Sequence, residues 1–142
     1  MRSNIRNKNI LFISQNNCLS FLAEAIANRL LPPKTQVLSA SLKGGEVHPE
    51  IIRVLQEVGI DVPSKQTKRI DSIPIRDIDL IVGLGEIDDN DWKTLSPTKY
   101  ETWELADPCS GPEVGVDALR QARDEIDKRV GGLFLDYWRN VA

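Results

Sequence analysis

The sequence has 142 residues, which is enough for one domain with a buried core. Its 41% hydrophobic and 27% charged residues are typical of globular proteins, and a net charge of −3 gives no overall basic surface for nucleic acid. Two cysteines are too few for a disulfide framework, and no apolar stretch is long enough to span a membrane. We therefore expect a single cytoplasmic domain over residues 1–142, with no nucleic-acid or membrane partner.

Strands and helices alternate in the first half of the chain. Ile10–Ile13 is a continuous apolar run, typical of a central parallel strand covered on both faces. The segment SFLAEAIANRLL predicts a helix that Ser20 is placed to cap and Pro32 ends. QVLSAS predicts a second strand, GGE at 44–46 a turn, and PEIIRVLQEVG a second helix. The inward-facing residues of that helix are predicted to be Ile52, Leu55 and Val58.

The second half adds two strands and a long helix. DIDLIVGLG predicts the third strand, TKYETWELADP contains the fourth, and a final helix runs from about 114 to 139. The order β-α-β-α-β-β-α predicts a small doubly wound α/β domain, with a four-stranded parallel sheet and helices on both faces. Ligands bind such sheets beyond the carboxyl ends of the strands. The segments SQNNCLS, GLGEIDDND and ADPCSG should therefore meet at one crevice.

Several of these segments resemble one enzyme family. ILFIS and CLSFLAEA are similar to the first strand and to the CRSPMAEA helix start of the low-molecular-weight protein tyrosine phosphatases, which include the thioredoxin-coupled arsenate reductases. VHPEIIRVLQEVGID, WELADP and ALRQARDEIDKRVGGLF resemble later parts of the same family. The resemblance covers nearly the whole chain and implies the family's fold.

The resemblance also implies a Cys-x5-Arg loop, in which a thiolate attacks phosphorus while the arginine and backbone N–H groups hold the phosphate. In this sequence the nucleophile's position falls on Ser14 and the arginine's on Leu19, and the loop between them is one residue short. Gln15, Asn16 and Asn17 replace the glycine and asparagine of the family loop. A serine without a base and a lost arginine clamp predict that the family's hydrolysis does not occur.

The loop after strand three argues against two further activities. The arsenate reductases carry a cysteine relay there, whereas GLGEIDDNDW contains no sulfur, so reduction by that relay is not expected. Glu86, Asp88, Asp89 and Asp91 would repel phosphate and favour a cationic or protein ligand, unless they only form a solvated helix start. Their spacing fits no EF-hand, and we expect neither a metal nor a cofactor.

The remaining crevice residues leave alternatives open. Asp107 matches the family's general acid, or it shapes the turn at Asp-Pro. Cys18 and Cys109 should lie at the same crevice mouth, as a reversible disulfide or as two inert thiols, without a histidine to complete a metal site. His48 is interpreted as a helix-entry residue. Trp103 is expected to pack near the Asp107 loop, and Trp92 and Trp138 are candidate exposed anchors for a partner.

We therefore predict a catalytically inactive phosphatase homologue that acts as a regulatory module by binding a protein, a small ligand or a second copy of itself. The alternative is a divergent phosphatase or reductase-like enzyme that uses Ser14 or Cys18 with Asp107. Two alternatives remain for the loop at the N-terminus of the first helix. It either binds an anion weakly, or it is collapsed, with its asparagine side chains bonded to its own backbone. The candidate ligand-binding residues are Gln15, Asn16, Asn17, Leu19 and Ser20.

Overall fold

A four-stranded parallel sheet forms the centre of the computed structural model, which describes residues 8–30, 35–62, 69–97 and 99–141, with side chains up to residue 136. The strands are β1 (Lys8–Ser14), β2 (Thr35–Ser41), β3 (Leu80–Leu84) and β4 (Tyr100–Trp103). The strand order is β2-β1-β3-β4, and all three pairings are parallel. This confirms the predicted doubly wound α/β class.

Helices cover both faces of this sheet. Successive side chains of β1 point to opposite faces and are apolar, so each face needs a covering layer. The helices are α1 (Leu19–Leu30), α2 (Pro49–Gln56), α3 (Asp89–Leu95) and α4 (Val116–Val141), and the 3₁₀ turns are Ile70–Ser72 and Ile75–Asp77. Ile10 and Phe12 pack with α1, α2 and α4 on one face, whereas Leu11 and Ile13 pack with α3 and the two short 3₁₀ turns on the other.

Helix α3 corrects the predicted element order, which joined the third strand directly to the fourth. Parallel neighbours need a crossover that returns the chain to the starting edge, and α3 provides it. Asp88 caps this helix by accepting the N–H of Asp91 at 2.9 Å. Trp92 is only 7% exposed and stacks on Tyr100 at a centroid distance of 4.4 Å, so it is not an exposed anchor.

The starts of α1 and α2 set which residues face inward. Helix α1 begins at Leu19, so Ser20 lies inside its first turn and does not cap it. His48 caps α2, where its Nδ1 accepts the N–H of Glu50 at 3.1 Å, as expected for a helix-entry residue.

This start gives α2 a different inward face from the predicted one. Leu55 is buried as expected, but Ile52 is half-buried, and Val58 is exposed because it lies beyond the helix end. The buried residues of α2 are Ile51, Val54 and Leu55.

Helix α4 packs against α1 and α2 and closes the larger cluster. The side chain of Trp138, a candidate anchor for a partner, lies outside the described part of the chain. No helix in the described ranges combines the length and the apolar content that a membrane crossing requires. The buried residues of α4 are Leu119, Ala122, Ile126, Val130 and Phe134.

Candidate functional site

The loops that follow the four strands meet at the carboxyl edge of the sheet and enclose a cavity of about 480 Å³. Three of these loops are the ones predicted to converge, and the fourth, after β2, contributes Lys43. The cavity lies beyond the strand ends, as it does in other doubly wound sheets. Its polar lining includes Gln15, Asn16, Lys43, Glu86, Asp107 and Cys109.

The three amide side chains of the loop after β1 each donate to a different neighbouring loop. Gln15 Nε2 donates to the carbonyl of Glu86 at 2.9 Å, and Asn16 Nδ2 donates to Asp107 Oδ2 at 3.1 Å. Asn17 Nδ2 donates to the carbonyl of Gly45. One alternative was that the asparagines bond to the backbone of their own loop. Instead, their side chains donate to neighbouring loops and connect the loops around the crevice.

Ser14, at the position of the family nucleophile, is 1% exposed, and its Oγ has three hydrogen-bond contacts. Oγ lies 2.5 Å from the carbonyl oxygen of Asn16 and 2.7 Å from Ser20 Oγ, and it accepts the Ser20 N–H at 3.1 Å. A carbonyl only accepts, so the single Ser14 proton goes there, and the Ser20 hydroxyl donates to Ser14. Both lone pairs of Ser14 Oγ are then engaged, and its proton faces a carbonyl that is no general base.

Leu19, at the position of the family arginine, is 1% exposed and presents an aliphatic side chain to the cavity. Its Cδ1 lies 3.3 Å from the position that a Cβ on Gly85 would take, so it fills the space between α1 and the loop after β3. The family's arginine, which would share charge with a bound oxyanion, is therefore replaced by an aliphatic side chain that only packs.

Lys43 was missed in the sequence, although it lies two residues beyond the end of β2, where a cavity-facing side chain can be expected. Its backbone N–H donates to the carbonyl of Gln15 at 2.9 Å, and its exposed side chain lines the cavity. Among the described lining residues it is the only cation, and it faces the carboxylates of Glu86 and Asp107. The cavity therefore has a net negative lining.

A second opening of about 600 Å³ adjoins the first along Glu86 and Leu105 and is also acidic. Its walls carry Asp88 and Glu104 besides Glu86. Asp88 also caps α3, and Asp89 and Asp91 lie in the first turn of that helix. The acidic cluster is thus partly a helix start and partly the wall of the crevice.

Asp107 organises the turn after β4. Its Oδ1 accepts the N–H of Cys109 at 2.8 Å, and its carbonyl accepts the N–H and the hydroxyl of Ser110 at 3.3 and 3.0 Å. Its Oδ2 accepts the Asn16 amide, so both carboxylate oxygens have donors. These bonds give Asp107 a loop-shaping role.

Cys18 and Cys109 come together from opposite sides of the crevice, with their Sγ atoms 2.6 Å apart and both thiols free. Cys18 is 1% exposed, whereas Cys109 is half-buried at the cavity wall. The hydrogen bond to Cys109, burial, and the nearby charge of Asp107 raise the pKa of Cys18 far above its usual range. The same hydrogen bond lowers the pKa of Cys109, against burial and Asp107, which raise it.

Comparison with known proteins gives consistent matches along the chain. The sequence profile of the family described as low molecular weight phosphotyrosine protein phosphatase matches residues 9–141. An arsenate reductase of Bacillus subtilis is 34% identical over 89% of this chain and 94% of its own, and a glutaredoxin arsenate reductase of Synechocystis sp. is 30% identical over 89% and 95%. A solved structure of an arsenate reductase in the oxidized state superposes with a TM-score of 0.80 at 28% identity, covering 91% of this chain and 98% of the other.

Proposed function

The chain belongs to the low molecular weight phosphotyrosine protein phosphatase family, and from that premise we propose that it is a member without the family's phosphate-ester and arsenate chemistry, acting instead as a cytoplasmic ligand-binding regulatory module. The relatives named arsenate reductases indicate that arsenate reduction, besides phosphate-ester hydrolysis, is the activity to be tested for. The observation that carries it is the hydrogen bonding of Ser14 Oγ, which leaves neither a free lone pair nor a base for its proton.

Three properties of the loop support this proposal together. A serine hydroxyl titrates far above a thiol and attacks only when a base removes its proton. The carbonyl of Asn16, 2.5 Å from Ser14 Oγ, presents a negative dipole where an oxyanion needs donors. Leu19 supplies no positive charge, so a tetrahedral anion has no partner at the family's arginine position.

The charge of the crevice indicates the kind of ligand. Glu86 lines both openings, Asp107 lines one and Glu104 the other, against the single described cation Lys43. A low-dielectric cleft with carboxylates on its walls favours a cationic group over phosphate. We therefore propose a small ligand, or a protein side chain, that brings an amine or guanidinium into the crevice.

The alternative, a divergent enzyme that uses Ser14 or Cys18 with Asp107, has less support. Ser14 has no base among its contacts, and the raised pKa of Cys18 keeps that buried thiol protonated near neutral pH. Asp107 contacts the sulfur pair through the Cys109 N–H and through its charge near Cys18, and it is not among the hydrogen-bond partners of Ser14 Oγ. The geometry favours neither of the two as a phosphorus nucleophile.

The catalytic part of the proposal is tested with an aryl phosphate and with arsenate, the latter supplied with thioredoxin and with glutaredoxin as reductants. We expect the rates of the wild type and of Ser14→Ala to equal each other and the background. The arsenate reductase of Bacillus subtilis is the positive comparison, because Ser14→Cys/Leu19→Arg would still leave the loop of this chain one residue short. Wild-type turnover that falls at least tenfold in Ser14→Ala would overturn the proposal.

The binding part is tested by calorimetric titration with arginine amide and with inorganic phosphate. We expect arginine amide to bind the wild type, and Glu86→Gln to weaken that binding by removing a carboxylate from both openings. Asp89→Asn is the matched control, since Asp89 is exposed on α3 and lines neither opening. Phosphate binding that is lost in Lys43→Ala, with no binding of arginine amide, would contradict the proposed ligand class.

A further inference from the structure

The two cysteines form an asymmetric pair. Cys18 precedes α1 and is buried, whereas Cys109 follows β4 and lines the 480 Å³ cavity. Their sulfur atoms lie 2.6 Å apart although the residues are separated by 91 positions in sequence. The fold therefore brings an accessible sulfur into contact with an inaccessible one.

This asymmetry assigns different roles to the two sulfurs. The accessible Cys109 forms the thiolate first, because the Cys18 thiol can donate a hydrogen bond to it. Cys18 keeps its proton, since it is buried and any thiolate there would face both Cys109 and Asp107. Thiol–disulfide exchange needs this arrangement, in which an accessible thiolate attacks and a second thiol in contact resolves the product.

The residues around the two sulfurs determine how a reactant reaches them. Asp107 holds the Cys109 backbone N–H at 2.8 Å and fixes the turn that carries the sulfur. Lys43, Glu86 and Ser110 line the cavity from which Cys109 is reached. A disulfide reactant can therefore reach Cys109 from the cavity, whereas the buried Cys18 is not accessible to it.

We propose that Cys18 and Cys109 are a redox-active dithiol that exchanges with small disulfides. Cys18 lies within the family's phosphate loop, but its pairing with Cys109 and the exchange reaction are distinct from that loop's phosphate chemistry. The Cys109 thiolate attacks a disulfide RSSR, forms Cys109–S–SR and releases RS⁻. Cys18 then attacks the Cys109 sulfur of this mixed disulfide, giving Cys18–S–S–Cys109 and a second RSH after proton transfer. The protein loses two electrons and two protons, and RSSR becomes two RSH.

A metal ion fits the pair less well than a covalent bond. The ligand atoms of Cys18, Asp107 and Cys109 do lie within 4.8 Å of one another. A tetrahedral zinc ion with Zn–S bonds of about 2.3 Å would hold its two sulfurs roughly 3.8 Å apart, well beyond the 2.6 Å between these atoms. The sulfurs would have to separate to admit the ion, whereas a disulfide requires them only to approach.

The test equilibrates the reduced, full-length protein with mixtures of reduced and oxidised glutathione in the presence of EDTA. After acid quenching and alkylation with N-ethylmaleimide, intact mass and peptide mapping identify each sulfur. The variants are Cys18→Ser, Cys109→Ser and, as the matched control, both together. Circular dichroism confirms that each variant is folded, and the wild-type peptide map alone remains decisive if one is not.

We expect the wild type to lose two hydrogens, to take up neither glutathione nor maleimide, and to give a linked peptide pair containing residues 18 and 109. Cys18→Ser should accumulate one glutathione on Cys109, and Cys109→Ser should react at least tenfold more slowly than Cys18→Ser.

Four results would overturn the proposal. Wild-type protein that keeps both thiols or retains a stable glutathione adduct would do so, as would equal reactivity of the two single variants. Protection from alkylation that appears only when zinc replaces EDTA would assign a metal site instead. None of these outcomes bears on the aryl phosphate assay, so the two proposals fail separately.

Discussion

At the scale of single residues, the replacement of sulfur by oxygen at position 14 changes what the surrounding loop can do. Ser14 Oγ is enclosed by the Ser20 N–H, the Ser20 hydroxyl and the Asn16 carbonyl. A thiolate there would repel that carbonyl and attract N–H groups, so the present loop conformation suits a neutral hydroxyl. In the proposed dithiol, the reactive sulfur of this crevice is that of Cys109, on the opposite loop.

The charge of Asp107 gives a prediction for the reactivity of that sulfur. Asp107→Asn keeps an oxygen for the Cys109 N–H but removes the negative charge that raises the pKa of both thiols. We expect the pH profile of Cys109 alkylation to move to lower pH and the rate at pH 7 to rise several-fold.

Iodoacetamide kinetics with mass detection measure this rate. Glu104→Gln is the control, because Glu104 is an exposed carboxylate just before the same turn that causes no shift in either thiol. An unchanged profile in Asp107→Asn would show that Asp107 acts on Cys109 only through the backbone.

At the scale of elements, the contact between β3 and α3 determines how closely the helix packs on its face of the sheet. A Cβ built on Gly83 would lie 2.7 Å from the Trp92 ring and 2.9 Å from the side chain of Ile87. Trp92 in turn stacks on Tyr100 of β4. One glycine therefore allows a tryptophan to cover two neighbouring strands.

Gly83→Ala tests this packing. We expect it to destabilise the fold by about 1–3 kcal/mol, because the added methyl must displace the rings of a well-packed cluster. Urea unfolding followed by tryptophan fluorescence gives the free energy of unfolding.

Gly132→Ala in α4 is the matched control, since nothing lies within 4 Å of its Cβ position. Alanine there should stabilise the helix by about 0.5–1 kcal/mol. Similar effects of the two substitutions would contradict the close approach of Trp92.

The junction of α2 and α4 is held by charge. Glu57, at the end of α2, binds Arg120 at 2.7 Å and Arg123 at 2.8 Å, both on α4. The hydrogen bonds from these arginines lower the pKa of Glu57 to about 2. Because the carboxyl is more acidic in the folded state, its stabilisation is present above its unfolded pKa and is lost as the pH falls toward 2.

We therefore expect Glu57→Gln to unfold at a lower urea concentration than the wild type at pH 7, with the difference shrinking between pH 4.5 and 2. Because the Glu57 carboxylate is exposed to solvent, added salt should also reduce this difference in unfolding midpoint. Glu50→Gln, which loses only a 3.4 Å contact to Arg53 within α2, should have a smaller effect. Equal effects at both positions would contradict the role of the junction.

At the scale of the whole molecule, the sulfur pair links the loop before α1 to the loop after β4, across most of the sheet. A bond between residues separated by 91 positions closes a large loop and restricts the unfolded chain. In the chain-entropy account this is worth up to about 4–5 kcal/mol. The redox state of the dithiol would then be coupled to global stability.

This coupling predicts that the oxidised protein melts at a higher temperature than the same protein in dithiothreitol, by several degrees or more. Calorimetry of wild type and of Cys18→Ser, each with and without dithiothreitol, measures the difference. Cys18→Ser should melt at the same temperature in both buffers. An equal response of the two proteins would show that reductant acts elsewhere.

The sequence by itself determined the α/β class, the parallel sheet and the edge at which the crevice forms. Apolar runs such as Ile10–Ile13 and helical spacings such as Leu119 to Phe134 are local patterns that burial enforces directly. The loss of the family's cysteine and arginine at Ser14 and Leu19 could also be read without coordinates. These features depend on residue type and spacing along the chain.

Only the tertiary structure decided which groups meet. It brought Cys18 and Cys109, which the sequence placed at the same crevice mouth, into direct contact. It also brought Lys43 to the cavity and enclosed Ser14 between Ser20 and the Asn16 carbonyl. It also buried Trp92 and set the inward face of α2. Such contacts depend on the relative placement of loops and helix ends, and that placement is fixed by packing between segments far apart in sequence, which no local pattern records.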